Sequence, residues 1–183
     1  TPRFTGAGQF RFNSTVATTH NILNNVRFFT TVTVAPTSTV AAGGKMIFED
    51  NSSLFADSPA ATYGAVTGNI KYRCTGNPSQ YAYNYWSSPV QSATISSLIA
   101  PGVNPNTYQY ETSNSTGVDY DGTQAGWLAV TPASVMQPGR GYIATGAGTA
   151  TFTGVPTQSD VTYTATTGGG NFFNLVGNPF PAQ

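Results

Sequence analysis

β-Branched and aromatic residues alternate with polar ones along almost the whole chain, and turn-forming residues break each run before a long helix can develop. Val26-Arg27-Phe28-Phe29-Thr30-Thr31-Val32-Thr33-Val34 reads as one long strand. Phe4, Phe10 and Phe12 alternate with small or polar residues. Further strand candidates cover 63–73, 81–86, 107–111, 126–130, 141–145, 150–153, 161–166 and 172–176. Gly43-Gly44, Asn77-Pro78, Asn104-Pro105, Pro138-Gly139 and Asn178-Pro179 punctuate them, as turns require. Only 93–100 and 132–136 look helical, for a turn or two. The pattern predicts an all-β fold with little helix. Its expected form is a β-sandwich with jelly-roll-like or Greek-key connections, preceded by an extended, solenoid-like strand region.

An internal echo supports the solenoid element. Val32-Thr33-Val34 followed by Val40 matches Met46-Ile47-Phe48 followed by Leu54, an offset of 14 residues. Ser38 and Ser52 each stand two residues before the last apolar position. Two copies fall short of the three or so that a free-standing solenoid needs, so a plain hairpin is the competing reading. The chain divides near residue 75 on this reading. Residues 1–75 form a strand-rich, repeat-like region, and 76–183 form an aromatic-rich sandwich unit that can share its core.

Charge narrows the function classes. Only 8% of residues are charged, against about 25% in an average soluble domain. Seven Lys+Arg balance seven Asp+Glu, so the net charge is +0. Without a basic cluster there is no footprint for nucleic acid or an anionic membrane surface. No apolar run approaches the roughly 20 residues needed to cross a bilayer. No charged stretch leading into an apolar one opens the chain, so any signal peptide is expected to lie outside it. Eleven Phe, ten Tyr and two Trp supply a packed core.

Catalytic signatures are mostly absent. Cys74 and His20 are the only residues of their kinds, and nothing in the sequence links them. Cys74 reads as a half-buried small side chain. No phosphate-cradling loop or nucleophile elbow is present. Two of the seven acids, Glu49, Asp50, Asp57, Glu111, Asp119, Asp121 and Asp160, would have to face each other for glycan cleavage. Asp119-Tyr120-Asp121-Gly122 reads first as an acidic turn; it also resembles the start of a calcium loop, with Asp119 and Asp121 as ligands, but lacks the next alternate oxygen ligand and a closing Glu. Calcium is the only ion the sequence suggests.

The aromatic residues give the strongest binding signal. Alternation places Tyr81, Tyr83 and Tyr85 on one face of a strand and Trp86 on the other. An exposed face of this kind stacks sugar rings, with Trp86, Trp127, Tyr83 and Tyr85 as the candidate residues; a buried one is core. The triplets starting at Asn13, Asn51 and Asn114 match the N-glycosylation pattern, as chance predicts in so Asn/Ser/Thr-rich a chain.

Four ordered segments carry a resemblance. They are Tyr83-Asn-Tyr-Trp86-Ser-Ser-Pro89, Met136-Gln-Pro-Gly139-Arg-Gly141-Tyr142, Phe152-Thr-Gly154-Val-Pro156 and Phe173-Asn174-Leu-Val-Gly177-Asn178-Pro179-Phe-Pro181. Together they resemble a module of large secreted and cell-surface proteins of Bacteroidota, commonly exported by type IX secretion and often adhesin-like or linked to gliding. The strand-rich residues 44–54 and 68–73 resemble the segment that often precedes that module. Ser159 stands before Asp160 where such modules usually carry Gly, and the sorting domain typical of such cargo is expected to lie outside these residues. The resemblance implies a piece of something longer, and it brings no catalytic residues.

The expected function is therefore a non-enzymatic, extracellular structural or adhesive module of a bacterial cell-surface protein. It would self-assemble through sheet edges into a filament or layer, with other copies or neighbouring domains of a longer chain as partners. The alternatives are a carbohydrate-binding module recognising surface polysaccharide and a glycan-cleaving enzyme. No nucleic acid, membrane insertion or cofactor other than calcium is expected.

Overall fold

The computed structural model describes residues 1–57, 62–98, 106–112, 126–146, 148–167 and 173–181. The first part of the chain winds as a parallel solenoid with three sides. Its first turn lays down β1 (Arg3–Phe4), β2 (Gln9–Phe12) and β3 (Thr18–Asn21). The second lays down β4 (Val26–Phe28), β5 (Thr31–Val34) and β6 (Ser38–Ala41). The third adds β7 (Met46–Phe48), β8 (Leu54–Phe55) and β9 (Ala65–Thr67), and β10 (Ile70–Thr75) follows. The sides are three parallel ladders: β1-β4-β7-β10, β2-β5-β8 and β3-β6-β9.

In-register stacking places like on like. Phe4, Phe28, Phe48 and Tyr72 occupy one register position on successive rungs. Their rings form a column with centroids 5.4, 5.3 and 6.1 Å apart and interplanar angles of 14°, 23° and 23°. The spacing follows from the ~4.8 Å between paired strands. Val32 and Val34 fill the second side and Val40 and Val66 the third, all buried. At the corners, Gly43 and Gly44 take φ values of 53° and 76°, which side chains resist. A Cβ on Gly64 would run into the carbonyl oxygens of Ser38 and Ala35, so only glycine lets β9 approach the rung before it.

The structural repeat differs from the 14-residue echo. Phe4, Phe28, Phe48 and Tyr72 are 24, 20 and 24 residues apart. Val32 stacks on Leu54, and Met46-Ile47-Phe48 belongs to a different side of the solenoid. Alternation makes strands on different sides look alike, and that likeness produced the false period. The long strand expected over 26–34 likewise breaks into β4 and β5, because the chain turns a corner at Phe29-Thr30. The one expected over 63–73 breaks at Gly68, whose φ is 77°.

The remaining strands are β11 (Tyr83–Trp86), β12 (Thr107–Tyr110), β13 (Trp127–Ala129), β14 (Tyr142–Thr145) and β15 (Thr149–Gly154). Four form an antiparallel sheet in the order β11-β14-β12-β13, and β15 pairs antiparallel with β10, extending the first solenoid side to five strands. The helical expectations reduce to a 3-10 turn, Ile95–Leu98, and 132–136 is not helical. Residues 161–166 form no strand; the Asn174 side-chain amide bonds both the N–H and the carbonyl of Thr166 instead. One hydrophobic core runs from Phe28 and Phe48 through Tyr72 and Phe152 to Trp86 and Tyr142. Among the described residues no helix is long and apolar enough to cross a membrane.

Candidate functional site

Cross-strand partners project to the same side of a sheet. In the β11-β14-β12-β13 sheet, Tyr85 pairs with Ile143, Ile143 with Tyr108, and Tyr110 with Trp127. Tyr83 pairs with Thr145 on that side too. The outer face is therefore aromatic across its width. Tyr85 is 72% and Tyr83 44% exposed, while Ile143 is only 7% exposed between Tyr85 and Tyr108. Tyr83 meets Tyr108 edge-on at 6.4 Å, and Tyr110 meets Trp127 edge-on at 5.0 Å. These edge-to-face contacts fix the rings in place.

Trp86 does not join this face. It points to the opposite side, pairs with Tyr142 and is 7% exposed in the core. Its neighbour Tyr85 takes the outward position, so a stacking role for Trp86 is corrected to a packing role. Trp127 is half-buried and keeps one side of its ring on the outer face. Sequence reasoning left Ile143 and Thr145 out of the site because cross-strand register is not written along the chain. The alternation of Tyr108 and Tyr110 was the available signal for the β12 contribution.

Beside Tyr85 a groove of about 370 Å³ runs between β10, β11 and the C-terminal segment. Tyr72, Cys74, Tyr85, Trp86, Leu175 and Phe180 are among its walls, with no acid, lysine or arginine. The Tyr72 hydroxyl donates to the Ser52 carbonyl at 2.7 Å, and burial pushes its pKa far above the ordinary 10.0. Burial likewise raises the Tyr142 phenol, whose oxygen accepts the Gln137 N–H at 2.9 Å. Both phenols are neutral across the physiological range. Trp86 Nε1 and Ser87 Oγ are buried without a hydrogen-bond partner among the described residues.

The described acids mostly serve the fold. Glu49 lies 3.4 Å from Arg27 and 3.1 Å from Arg73, and Glu111 pairs with Arg140. Asp50 accepts the Thr75 N–H, and Asp57 accepts the N–H groups of Thr62 and Tyr63. Asp57 and Asp160 line a second groove of about 310 Å³. His20 contacts Ser38 Oγ at 3.2 Å and the Phe12 ring, on a different side of the solenoid from Cys74. Cys74 is half-buried. Asp119 and Asp121, the candidate calcium ligands, lie outside the described residues. Among the described residues no group of three or more His, Cys, Asp or Glu is placed to hold a metal ion.

A family model described as a domain of unknown function, DUF8693, matches residues 9–183. The chain belongs to that family. The DUF8693 match begins at β2 and runs without a break through the solenoid, the aromatic sheet and the C-terminal segment. No curated protein and no solved structure matches the chain.

Proposed function

We propose that this DUF8693 chain is a non-enzymatic, extracellular structural and adhesive module of a bacterial cell-surface protein, and that the outer face of the β11-β14-β12-β13 sheet is its contact surface. The observation that carries the reading is Tyr85, held 72% exposed beside Tyr83 on a rigid antiparallel sheet. Large exposed aromatic patches on soluble proteins mark binding surfaces. The walls of the adjoining groove are uncharged, which favours a neutral partner. The structural duties of Glu49, Asp50, Asp57 and Glu111 support the non-enzymatic part of the reading, because a carboxylate tied into the fold is poorly placed to transfer protons.

A neutral glycan is the second reading, favoured by the position of Tyr85 on both the ring-lined face and the groove. A sugar stacked on the face would extend its next ring into the groove beside Tyr85. The test is retention of the protein on neutral insoluble polysaccharides and on bacterial cell surfaces, with the wild type and Tyr83→Ala/Tyr85→Ala compared. Truncating the two rings should weaken retention by roughly tenfold or more at one ring-stacking energy of about 1.4 kcal/mol, with the fold kept at a cost of about 1–2 kcal/mol for the lost Tyr83–Tyr108 and Tyr85–Ile143 contacts. Unaltered retention on every surface refutes the contact face. Loss on cells alone, with no polysaccharide retained by either protein, refutes the glycan reading and leaves the adhesive one standing.

A further inference from the structure

Stacking in register orders the outside of the first solenoid side as well as its inside. Phe4, Phe28, Phe48 and Tyr72 point inward. The residues before them, Arg3, Arg27, Ile47 and Lys71, therefore form one row on the outer face of the β1-β4-β7-β10-β15 sheet. Thr153 of β15 continues the row beside Lys71. Arg73 lies on the same face beside Thr151, and Thr75 follows beside Thr149. Arg3, Arg27, Lys71 and Arg73 are four of the seven Lys+Arg in the chain. They are spread along the sequence, and only the ladder gathers them. At ~4.8 Å between paired strands, Arg3 sits one spacing from Arg27, and Lys71 two spacings beyond it.

The chain neutralises this face only in part. Glu49 lies between Arg27 and Arg73, at 3.4 and 3.1 Å. Asp50, next along the chain, is turned to the Thr75 N–H at 2.7 Å. Arg3 lies over the Phe29 ring at 6.0 Å, and neither Arg3 nor Lys71 pairs with an acid among the described residues. The side chains of Arg27 and Arg73 stay 32% and 31% exposed even with Glu49 between them, and Arg3 is exposed. Glu49 shows what the array holds, namely a carboxylate seated between two guanidinium groups. Arg3 and Lys71, to either side, have no such carboxylate from the chain itself.

We infer that this outer face binds a linear acidic polysaccharide through its uronate carboxylates. The carboxylate geometry is already present at Glu49. Thr149, Thr151 and Thr153 stand in a file beside Lys71 and Arg73, and their hydroxyls can both donate to and accept from sugar hydroxyls. Cations one and two strand spacings apart on an open sheet face match an extended chain of anions lying across the strands better than a single small anion. Phe29, the ring on this face, is covered by Arg3, so bases of a nucleic acid would find no stacking platform. The face belongs to the solenoid. It stands independently of the contact surface on the β11-β14-β12-β13 sheet.

The test is binding of the full chain to immobilised polygalacturonate over a salt series, with poly-deoxythymidine in parallel. Binding should be present at low ionic strength and fade as salt rises. Lys71→Ala should weaken it roughly three- to fivefold, and Arg3→Ala/Lys71→Ala roughly tenfold or more. Arg11→Ala removes an exposed cation from a different side of the solenoid and should change nothing. Glu49→Gln releases Arg27 and Arg73 and should tighten binding, with thermal melts checking that each variant is folded. Absence of binding at low salt, equal loss in Arg11→Ala and Lys71→Ala, or weaker binding by folded Glu49→Gln would overturn the inference. Stronger binding to poly-deoxythymidine than to polygalacturonate, or loss of polygalacturonate binding in Tyr83→Ala/Tyr85→Ala, would overturn it too.

Discussion

Replacing Gln158 by glutamate tests whether a side-chain amide closes the third side of the solenoid. Gln158 is 9% exposed, and Val66, whose backbone it pairs, is 2% exposed. The amide both accepts from the Val66 N–H and donates to the Val66 carbonyl. An ionised carboxylate keeps the acceptor and loses the donor, so an oxygen faces the Val66 carbonyl oxygen. The loss of one hydrogen bond with a buried acceptor left unsatisfied costs about 1–3 kcal/mol. Burial of the charge adds to this, and the introduced carboxyl responds by raising its pKa above the ordinary value of about 4.3. A protonated carboxyl restores the donor and mimics the amide. The folded state then binds the proton more tightly than the unfolded state. The stability of Gln158→Glu should therefore approach that of wild type below about pH 4.3, and fall as pH rises toward the raised folded-state value, by up to about 1.4 kcal/mol per unit. Urea denaturation of both proteins across that range measures the difference, and the difference in ΔG cancels the shared pH dependence of the parent. A variant as stable as wild type at pH 7, or a deficit that does not shrink in acid, refutes the capping role.

Phe48→Ala should destabilise by about 3–5 kcal/mol, a large share of the roughly 5–15 kcal/mol available to a domain, because Phe48 is fully buried between Phe28 and Tyr72 in the ring column; chemical denaturation reads this directly. In Trp127→Phe the remaining indole, Trp86, should emit at short wavelength and resist iodide quenching, whereas Trp86→Phe should leave a quenchable Trp127; equal quenching of the two would contradict their placement. The Tyr72 phenol has a folded-state pKa raised by burial, so its contribution is complete below the unfolded value of about 10 and is lost as pH rises beyond it. Phenolate absorbance during alkaline unfolding should show one tyrosine fewer titrating with the transition in Tyr72→Phe, and that variant should lose about 1 kcal/mol at pH 7 with its bond to the Ser52 carbonyl.

The class of the fold was legible because alternation and turn residues are local properties. Tyr83 and Tyr85 share a face wherever their strand lies, so their common side followed from a spacing of two, while its exposure became visible only in the sheet. Trp86 shows the limit of that reasoning. Alternation put it on the other face, but only the sheet's position over β10 and β15 decided that the other face was core. The solenoid's true repeat was hidden for a related reason. Rungs of 24, 20 and 24 residues differ at their corners, and β-branched residues recur on all three sides, so the strongest match along the sequence joined strands that never stack. Gln158 and Asn174 carried no signal. An amide acting as a strand edge is visible only when the backbone it serves, 92 residues away for Gln158, is known.

The way the two regions are joined limits where contact with anything else can occur. β15, Gln158 and Pro181, all C-terminal to residue 75, complete the edges of β10, β9 and β8, so the second region supplies the solenoid's missing rung. In return, Tyr72 and its neighbours supply the floor against which Trp86 and Tyr142 are buried. The inner face of the aromatic sheet is thus consumed by folding, and so is the C-terminal end of the ladder. The outer face bearing Tyr83 and Tyr85 keeps its rings free of that packing. With the opposite face of that sheet anchored in the core, substitutions at Tyr83 and Tyr85 should cost the proposed contact a far larger share than they cost the fold.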